Sequence, residues 1–68
     1  MSEALSPGIA YGCFELLDVL DATPMPLGAA RSLGKLGVVS SDRVTTCAQL
    51  LGWTEINDAG LLVPTVRG

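Results

Sequence analysis

The sequence contains no histidine and few basic residues. Its 68 residues include 4 Lys and Arg against 7 Asp and Glu, a formal net charge of −3 at pH 7. Without histidine, the chain lacks both the usual proton shuttle near neutral pH and the commonest metal ligand. The acidic balance also differs from that of a typical nucleic-acid-binding domain, which shows a basic patch or a high pI.

Long apolar runs and cysteine motifs are absent as well. No apolar run approaches the roughly 20 residues that span a bilayer. Glu3 lies near the N-terminus, where a signal peptide would need positive charge. Cys13 and Cys47 match no zinc-binding spacing, and a zinc site takes about four ligands. We therefore expect a soluble cytoplasmic protein in which both cysteines are buried free thiols.

The sequence motifs of common enzymes are missing too. There is no glycine-rich phosphate loop after a strand and no Gly-x-Ser-x-Gly elbow. Asp18 and Asp21 could act as acid and base only inside a cleft, and so short a chain can hardly build one. We expect a protein that is not an enzyme and uses no metal, cofactor or small-molecule substrate.

What the sequence does contain is enough apolar material for one small domain. Hydrophobic residues make up 49% of the chain, and the mean hydropathy is +0.47. Disordered chains lack the apolar residues that offset conformational entropy, whereas a domain of this size buries only about 60% of its unfolded surface. We expect a flexible tail at residues 1–5 and a single folded domain at residues 6–68, with some apolar surface left for a partner.

The first helix is predicted from an apolar stripe at helical spacing. Ser6 is expected to cap it, and Pro7 occupies the first helical position. Gly12 indicates close approach of a neighbouring element. The helix should run to about Leu20, and its stripe consists of Ile9, Cys13, Leu16, Leu17 and Leu20.

A second helix is predicted after the proline-rich connector at residues 22–26. From Leu27 to Leu36, apolar residues recur about every third position. On such a helix Arg31 and Lys35 would share a face. Gly37 follows directly, where a left-handed C-cap would fall.

A third helix is predicted to start at Ser41, its expected N-cap, and to end at Gly52. Its buried face should consist of Val44, Cys47, Ala48 and Leu51. Its opposite side should carry Arg43, Thr45, Thr46, Gln49 and Leu50. After Gly52 the pattern becomes extended, which predicts a hairpin with its turn at residues 57–60 and a returning strand that ends at Pro64.

This order of helix, connector, helix, turn, helix and two-stranded hairpin resembles the winged helix-turn-helix family. The resemblance implies a mostly helical α+β fold of three helices with a C-terminal two-stranded wing. It also places Thr65-x-x-Gly68 where larger members continue, which leaves room for this chain to be the N-terminal module of a longer protein. The residues that carry it are Leu33, the corner at 36–40, the helix end at 50–53, and the wing and exit at 58–68.

One function that the resemblance implies is DNA binding in transcription regulation, with the third helix in the major groove. Arg43 would contact guanine or phosphate, Thr45 and Thr46 phosphate or a thymine methyl group, and Gln49 adenine. The residues expected on phosphates are Arg31, Lys35 and Arg67. Because tight sites make about six to ten phosphate contacts, the small number of basic residues favours a homodimer.

The other function is protein interaction, as an adaptor or dimerisation module. An exposed helix that carries Thr, Gln and Leu more than Arg and Lys suits a protein surface. Aromatic residues dominate interface hot spots, and the candidate anchors are Tyr11, Phe14, Leu50 and Trp53. For Phe14 and Trp53, ordinary packing in the core is the competing interpretation.

Overall fold

A computed structural model describes residues 7–65 as a small α+β domain, about half helical, with three helices and two antiparallel hairpins. The predicted α+β class is confirmed. The tail, the Ser6 cap, Arg67 and Gly68 lie outside the described residues. The elements are α1 (Pro7–Ala22), α2 (Leu27–Arg31), β1 (Lys35–Leu36), β2 (Val39–Ser40), α3 (Ser41–Leu50), β3 (Thr54–Ile56) and β4 (Leu62–Pro64).

The first helix forms as its apolar stripe predicts. Of that stripe, Leu17 is half-buried and the other four side chains are buried. Gly12 allows the close approach expected of it. A Cβ atom at this position would lie 2.8 Å from the Leu36 carbonyl oxygen and 2.8 Å from the Val44 Cγ2 atom. Both β1 and α3 therefore pack directly against the α1 backbone.

The second helix is shorter than predicted, because it ends at Arg31 and not at Leu36. The Ser41 hydroxyl donates to the Arg31 carbonyl oxygen at 2.8 Å and accepts from the Gly34 amide at 3.0 Å. Gly34 has a φ of +103°, which a right-handed helix cannot contain. Lys35 lies in β1, so the prediction that it shares a helical face with Arg31 is wrong.

The predicted corner at residues 36–40 is a β-hairpin. Lys35 pairs with Ser40 and Leu36 with Val39, which leaves a two-residue turn. Gly37 has a φ of +69° and no described non-glycine residue has a positive φ, an arrangement typical of a type II′ turn. Gly37 has the positive φ that a left-handed C-cap requires, but the predicted C-cap is wrong, because this glycine lies in a hairpin turn and α2 ends at Arg31.

The N-cap of the third helix lies one residue earlier than predicted. Ser40 is the N-cap, and its hydroxyl accepts from the Arg43 amide at 3.4 Å. Ser41 cannot serve as the cap because its buried hydroxyl already bonds to Arg31 and Gly34. Along the predicted buried face, Val44 and Ala48 are fully buried, whereas Cys47 and Leu51 are half-buried.

The C-terminal hairpin is confirmed. The Asn57 Oδ1 atom accepts from the amides of Ala59 and Leu61 at 2.9 and 3.0 Å, and Gly60 has a φ of +81°. The Leu62 amide donates to the Met25 carbonyl oxygen at 2.7 Å, which joins β4 to the connector before α2.

Side chains from α1, α2, β1, α3 and β4 form a single core. No helix within residues 7–65 is long and apolar enough to cross a membrane. The buried apolar residues are Ile9, Cys13, Leu16, Leu20, Ala30, Leu36, Val44, Ala48 and Leu62.

Candidate recognition surfaces

The three basic residues of the described chain gather around the N-terminus of α3. Lys35 pairs with Ser40, the N-cap of that helix. Arg43 lies in the first turn of that helix and is exposed. Arg31, at the end of α2, contacts Asp42 in the same turn. The first amides of a helix carry partial positive charge and lack partners within the helix. This end of the domain is therefore locally positive, although the chain as a whole is negative.

Arg31 is held against the outer side of α3 by two contacts. Its Nε atom lies 3.6 Å from the Asp42 Oδ1 atom, and its Nη2 atom lies 3.5 Å from the Thr46 hydroxyl oxygen. That hydroxyl donates to the Asp42 backbone carbonyl at 3.0 Å. The structure thus joins Arg31 and Thr46, two residues predicted to contact DNA, through Asp42, an acid absent from that prediction. Because both charged side chains are largely exposed, the ion pair orients Arg31 more than it stabilises the fold.

Thr45 does not belong to the exposed side of α3. Its side chain is fully buried, and its hydroxyl has no hydrogen-bond partner within residues 7–65. The inner face of α3 is wider than predicted, because Ser41 and Thr45 extend the buried row formed by Val44 and Ala48. The expectation that Thr45 contacts a partner is therefore wrong.

Gln49 lies farther along α3 than the other predicted contacts. Its side chain is half-buried, whereas Asp42, Arg43 and Thr46 are exposed. A row of polar side chains thus runs along the outer side of α3 from its N-terminal turn, and the exposed Leu50 follows at its end.

The acidic residues lie mostly on other elements. Among residues 7–65 only Asp42 belongs to α3. Glu15 is also engaged, because its Oε1 atom accepts from the Gly37 amide at 2.9 Å and so holds the β1–β2 turn against α1. The other acids of the described residues are Asp18 and Asp21 on α1, Glu55 on β3 and Asp58 in the last turn.

A second surface is apolar and runs across the outside of α1. Tyr11 and Phe14 are each 57% exposed, and the Phe14 ring stacks on Trp53 with centroids 6.0 Å apart and planes 10° apart. Core packing is therefore the wrong interpretation of Phe14, whereas Trp53 is half-buried and also packs against the core. We call Val38, Tyr11, Phe14 and Trp53 the aromatic face.

Val38 was not predicted to belong to this surface. It is 80% exposed, and its Cγ2 atom would lie 3.6 Å from a Cβ atom at Gly8, which places it beside the first turn of α1. Tyr11 is packed close to the Gly37 backbone in the same turn. The only sequence signal for Val38 is an apolar residue in a glycine turn. The fourth predicted interface residue, Leu50, is 80% exposed but lies near the end of α3.

The two cysteines are free. Cys13 is buried as predicted, and Cys47 is half-buried. Burial, together with the smaller influence of Cys47, raises the pKa of the Cys13 thiol. The proton therefore stays on Cys13 at neutral pH, and its thiol contributes packing and not reactivity.

The two surfaces differ in chemistry. One is polar and positively charged around the α3 N-terminus, and the other is aromatic and lies on α1. Comparisons of the chain with protein-family models, with curated proteins and with solved structures found no match.

Proposed function

We propose that this chain is a DNA-binding regulatory module that presents the N-terminal end of α3 to a duplex. The observation that carries the proposal is the gathering of Arg31, Lys35 and Arg43 at one helix N-terminus in an otherwise acidic chain. The dipole of that helix end also favours anions. Side chains and backbone thus present positive charge in the same place.

The order of the elements supports a winged-helix assignment. A connector residue, Met25, pairs with Leu62 in β4 of the C-terminal hairpin, and α3 lies between α2 and that hairpin along the chain. The β1–β2 hairpin is a departure from the simple turn expected between the second and third helices. It places Lys35 next to the start of α3, where a basic side chain helps to bind phosphate.

On this proposal the roles of the side chains follow from their positions. Arg43 reads guanine or binds phosphate, and Gln49 contacts adenine farther along the groove. Arg31, Thr46 and Lys35 contact the phosphate backbone, whereas the phosphate contact expected of Arg67 rests on the sequence alone. Asp58 lies in the turn of the C-terminal hairpin, so this wing is not expected to approach the backbone.

Substitutions that change charge at α3 and at the wing separate local binding from a general charge effect. The chain is titrated with labelled non-specific duplex DNA at low salt, and fluorescence anisotropy is measured. Lys35→Ala with Arg43→Ala removes two of the three basic side chains within residues 7–65 and should weaken binding by about tenfold or more. Asp42→Asn should tighten it, because Asp42 repels phosphate and holds Arg31.

The matched control is Asp58→Asn, which changes the net charge as much as Asp42→Asn does. It should leave the affinity nearly unchanged, because Asp58 lies in the C-terminal turn. Equal effects of the two substitutions would mean that net charge, and not the α3 surface, governs binding. Absence of binding by the unsubstituted chain would reject the proposal.

The alternative is a protein-interaction module, and the specific observation that favours it is the exposed Phe14–Trp53 stack. Large aromatic side chains bury much area at little entropic cost, which makes them effective anchors in protein interfaces. If DNA binding fails while Phe14→Ala abolishes a protein complex, this alternative replaces the DNA proposal.

A further inference from the structure

The outward stripe of α1 is apolar in its first half and acidic in its second. Its members recur at spacings of four, three, four and three, so they lie along one side of the helix. All of them are exposed, and they lie opposite the buried stripe. In order they are Pro7, Tyr11, Phe14, Asp18 and Asp21.

The charges on α1 do not suit its own dipole. Within the described helix, the first turn has no acidic residue and the last turn has no basic residue. Asp21 lies in that last turn, where a helix favours cations, while the N-terminal end favours anions. The acidic half of the stripe is therefore complementary to a surface that presents the N-terminus of another helix.

We propose that this stripe is the contact between two copies of the chain, with their α1 helices antiparallel and Tyr11 and Phe14 at the centre. A two-fold axis midway between these two residues brings Asp18 of each copy level with Pro7 of the other. The carboxylate then faces the positive end of the opposite helix. A parallel pairing would instead place Asp18 against Asp18 and Asp21 against Asp21.

The aromatic face extends this contact to both sides of α1. Tyr11 packs near the Gly37 turn beside Val38, and Phe14 stacks on Trp53. In a two-fold arrangement the same patch serves both copies, so the aromatic face of one copy packs against the aromatic face of the other. The stripe and the aromatic face together comprise seven residues, whereas a typical stable interface has roughly 20 to 30 per partner. The expected dimer is therefore weak and depends on protein concentration.

The oligomeric state of purified chain tests the proposal directly. Sedimentation equilibrium from about 10 µM to about 1 mM should show a monomer–dimer equilibrium. Phe14→Lys should raise its dissociation constant at least about tenfold, since it places a charge in the centre of the contact. Ile56→Lys is the matched control, because it replaces an exposed apolar side chain outside the stripe and should leave the dissociation constant unchanged.

A second variant does not touch the Phe14–Trp53 stack. Asp18→Lys should also weaken the dimer, because it would place a cation against the positive end of the opposite helix. Circular dichroism verifies that each variant is folded. A chain that stays monomeric throughout, or a dimer that both α1 variants leave intact, would overturn the proposal.

The antiparallel orientation has its own measurement. A spin label is attached through Ala22→Cys in a Cys47→Ser background, and the distance between the two copies is measured by pulsed dipolar spectroscopy. With a rise of 1.5 Å per residue, antiparallel helices place the labels about 30 Å apart, whereas parallel helices place them about 10 Å apart. The shorter distance would contradict the arrangement.

This contact and the DNA proposal fail independently. Phe14→Lys leaves the basic residues around α3 in place, so a monomer should still bind DNA weakly. Lys35→Ala with Arg43→Ala leaves the α1 stripe intact, so the dimer should persist.

Discussion

Buried polar side chains next to the core show how a single residue adjusts the stability of this domain. Thr45 is fully buried and its hydroxyl has no partner within the described residues, whereas the hydroxyl of Ser41, equally buried, makes two hydrogen bonds. An unpaired buried polar group costs free energy that a paired one does not. The two positions should therefore respond in opposite directions when the hydroxyl is removed.

Thr45→Val should stabilise the domain by about 1 kcal/mol, because an isosteric methyl group replaces a buried hydroxyl with no partner. Urea denaturation followed by circular dichroism measures the change in the free energy of unfolding. Thr46→Val is the control, since the Thr46 hydroxyl bonds to Asp42 and is exposed, and it should give no stabilisation. A loss of stability in Thr45→Val would show that the buried hydroxyl has a partner in solution.

Ser41→Ala should destabilise the domain by about 2 kcal/mol, because the Gly34 amide and the Arg31 carbonyl group lose their shared partner. The same denaturation experiment measures it. The neighbouring substitution, Ser40→Ala, removes only the longer capping bond to Arg43 and should cost about 1 kcal/mol or less. A larger effect at Ser40 than at Ser41 would contradict this assignment.

Local chemistry was informative for residues whose role depends only on their neighbours in sequence. Gly37, Gly52 and Gly60 all have positive φ, and each was expected to end a helix or form a turn. Local chemistry could not predict which of Ser40 and Ser41 caps α3. That choice depends on where the end of α2 packs, which is a tertiary contact.

At the scale of elements, the length of a segment determined how well its apolar periodicity predicted a helix. In α1 the apolar pattern repeats from Ile9 to Leu20 within a helix of 16 residues, and the helix formed as predicted. In the second helix the three-residue rhythm covered a short segment, and short helices depend on tertiary contacts for stability. The Ser41 hydroxyl ends α2 and the chain then turns into β1, so Leu33 remains 41% exposed instead of joining a helical stripe.

Gly12→Ala should destabilise the domain, although alanine normally favours a helix by up to about 1 kcal/mol over glycine. The added Cβ atom would lie 2.8 Å from the Leu36 carbonyl oxygen and from Val44, so α1 would have to move away from β1 and α3. Thermal unfolding should show a lower midpoint.

Gly8→Ala is the matched control on the same helix. There the nearest atoms are the Val39 and Val38 methyl groups at 3.5 and 3.6 Å, which is ordinary contact. The midpoint of Gly8→Ala should be unchanged or higher. A higher midpoint in Gly12→Ala would show that the α1 backbone is not closely packed there.

At the scale of the whole molecule, the distribution of charge matters more than its sum. The sequence contains only 4 basic residues and a net charge of −3, which by itself argues against DNA. Folding places Lys35 beside the α3 N-cap and draws Arg31 onto Asp42. Neither event could be predicted, because one needs the β1–β2 hairpin and the other needs the packing of α2 on α3.

The aromatic face was only partly predictable from the sequence. Tyr11 and Phe14 do not belong to the apolar stripe predicted for α1, and both are exposed. Helical spacing carries that information. The stacking of Phe14 on Trp53 and the position of Val38 depend on how the two hairpins lie beside α1, which sequence spacing does not specify.

The salt dependence of DNA binding tests the central proposal most directly. We expect Arg31, Lys35 and Arg43 each to neutralise one phosphate. A plot of the logarithm of the association constant against the logarithm of the salt concentration should then have a slope of about −2.7 per copy. Binding would then weaken roughly 40-fold between about 50 and 200 mM salt. In Lys35→Ala with Arg43→Ala the slope should become shallower by about two. No binding at low salt, or an unchanged slope in that variant, would contradict the account.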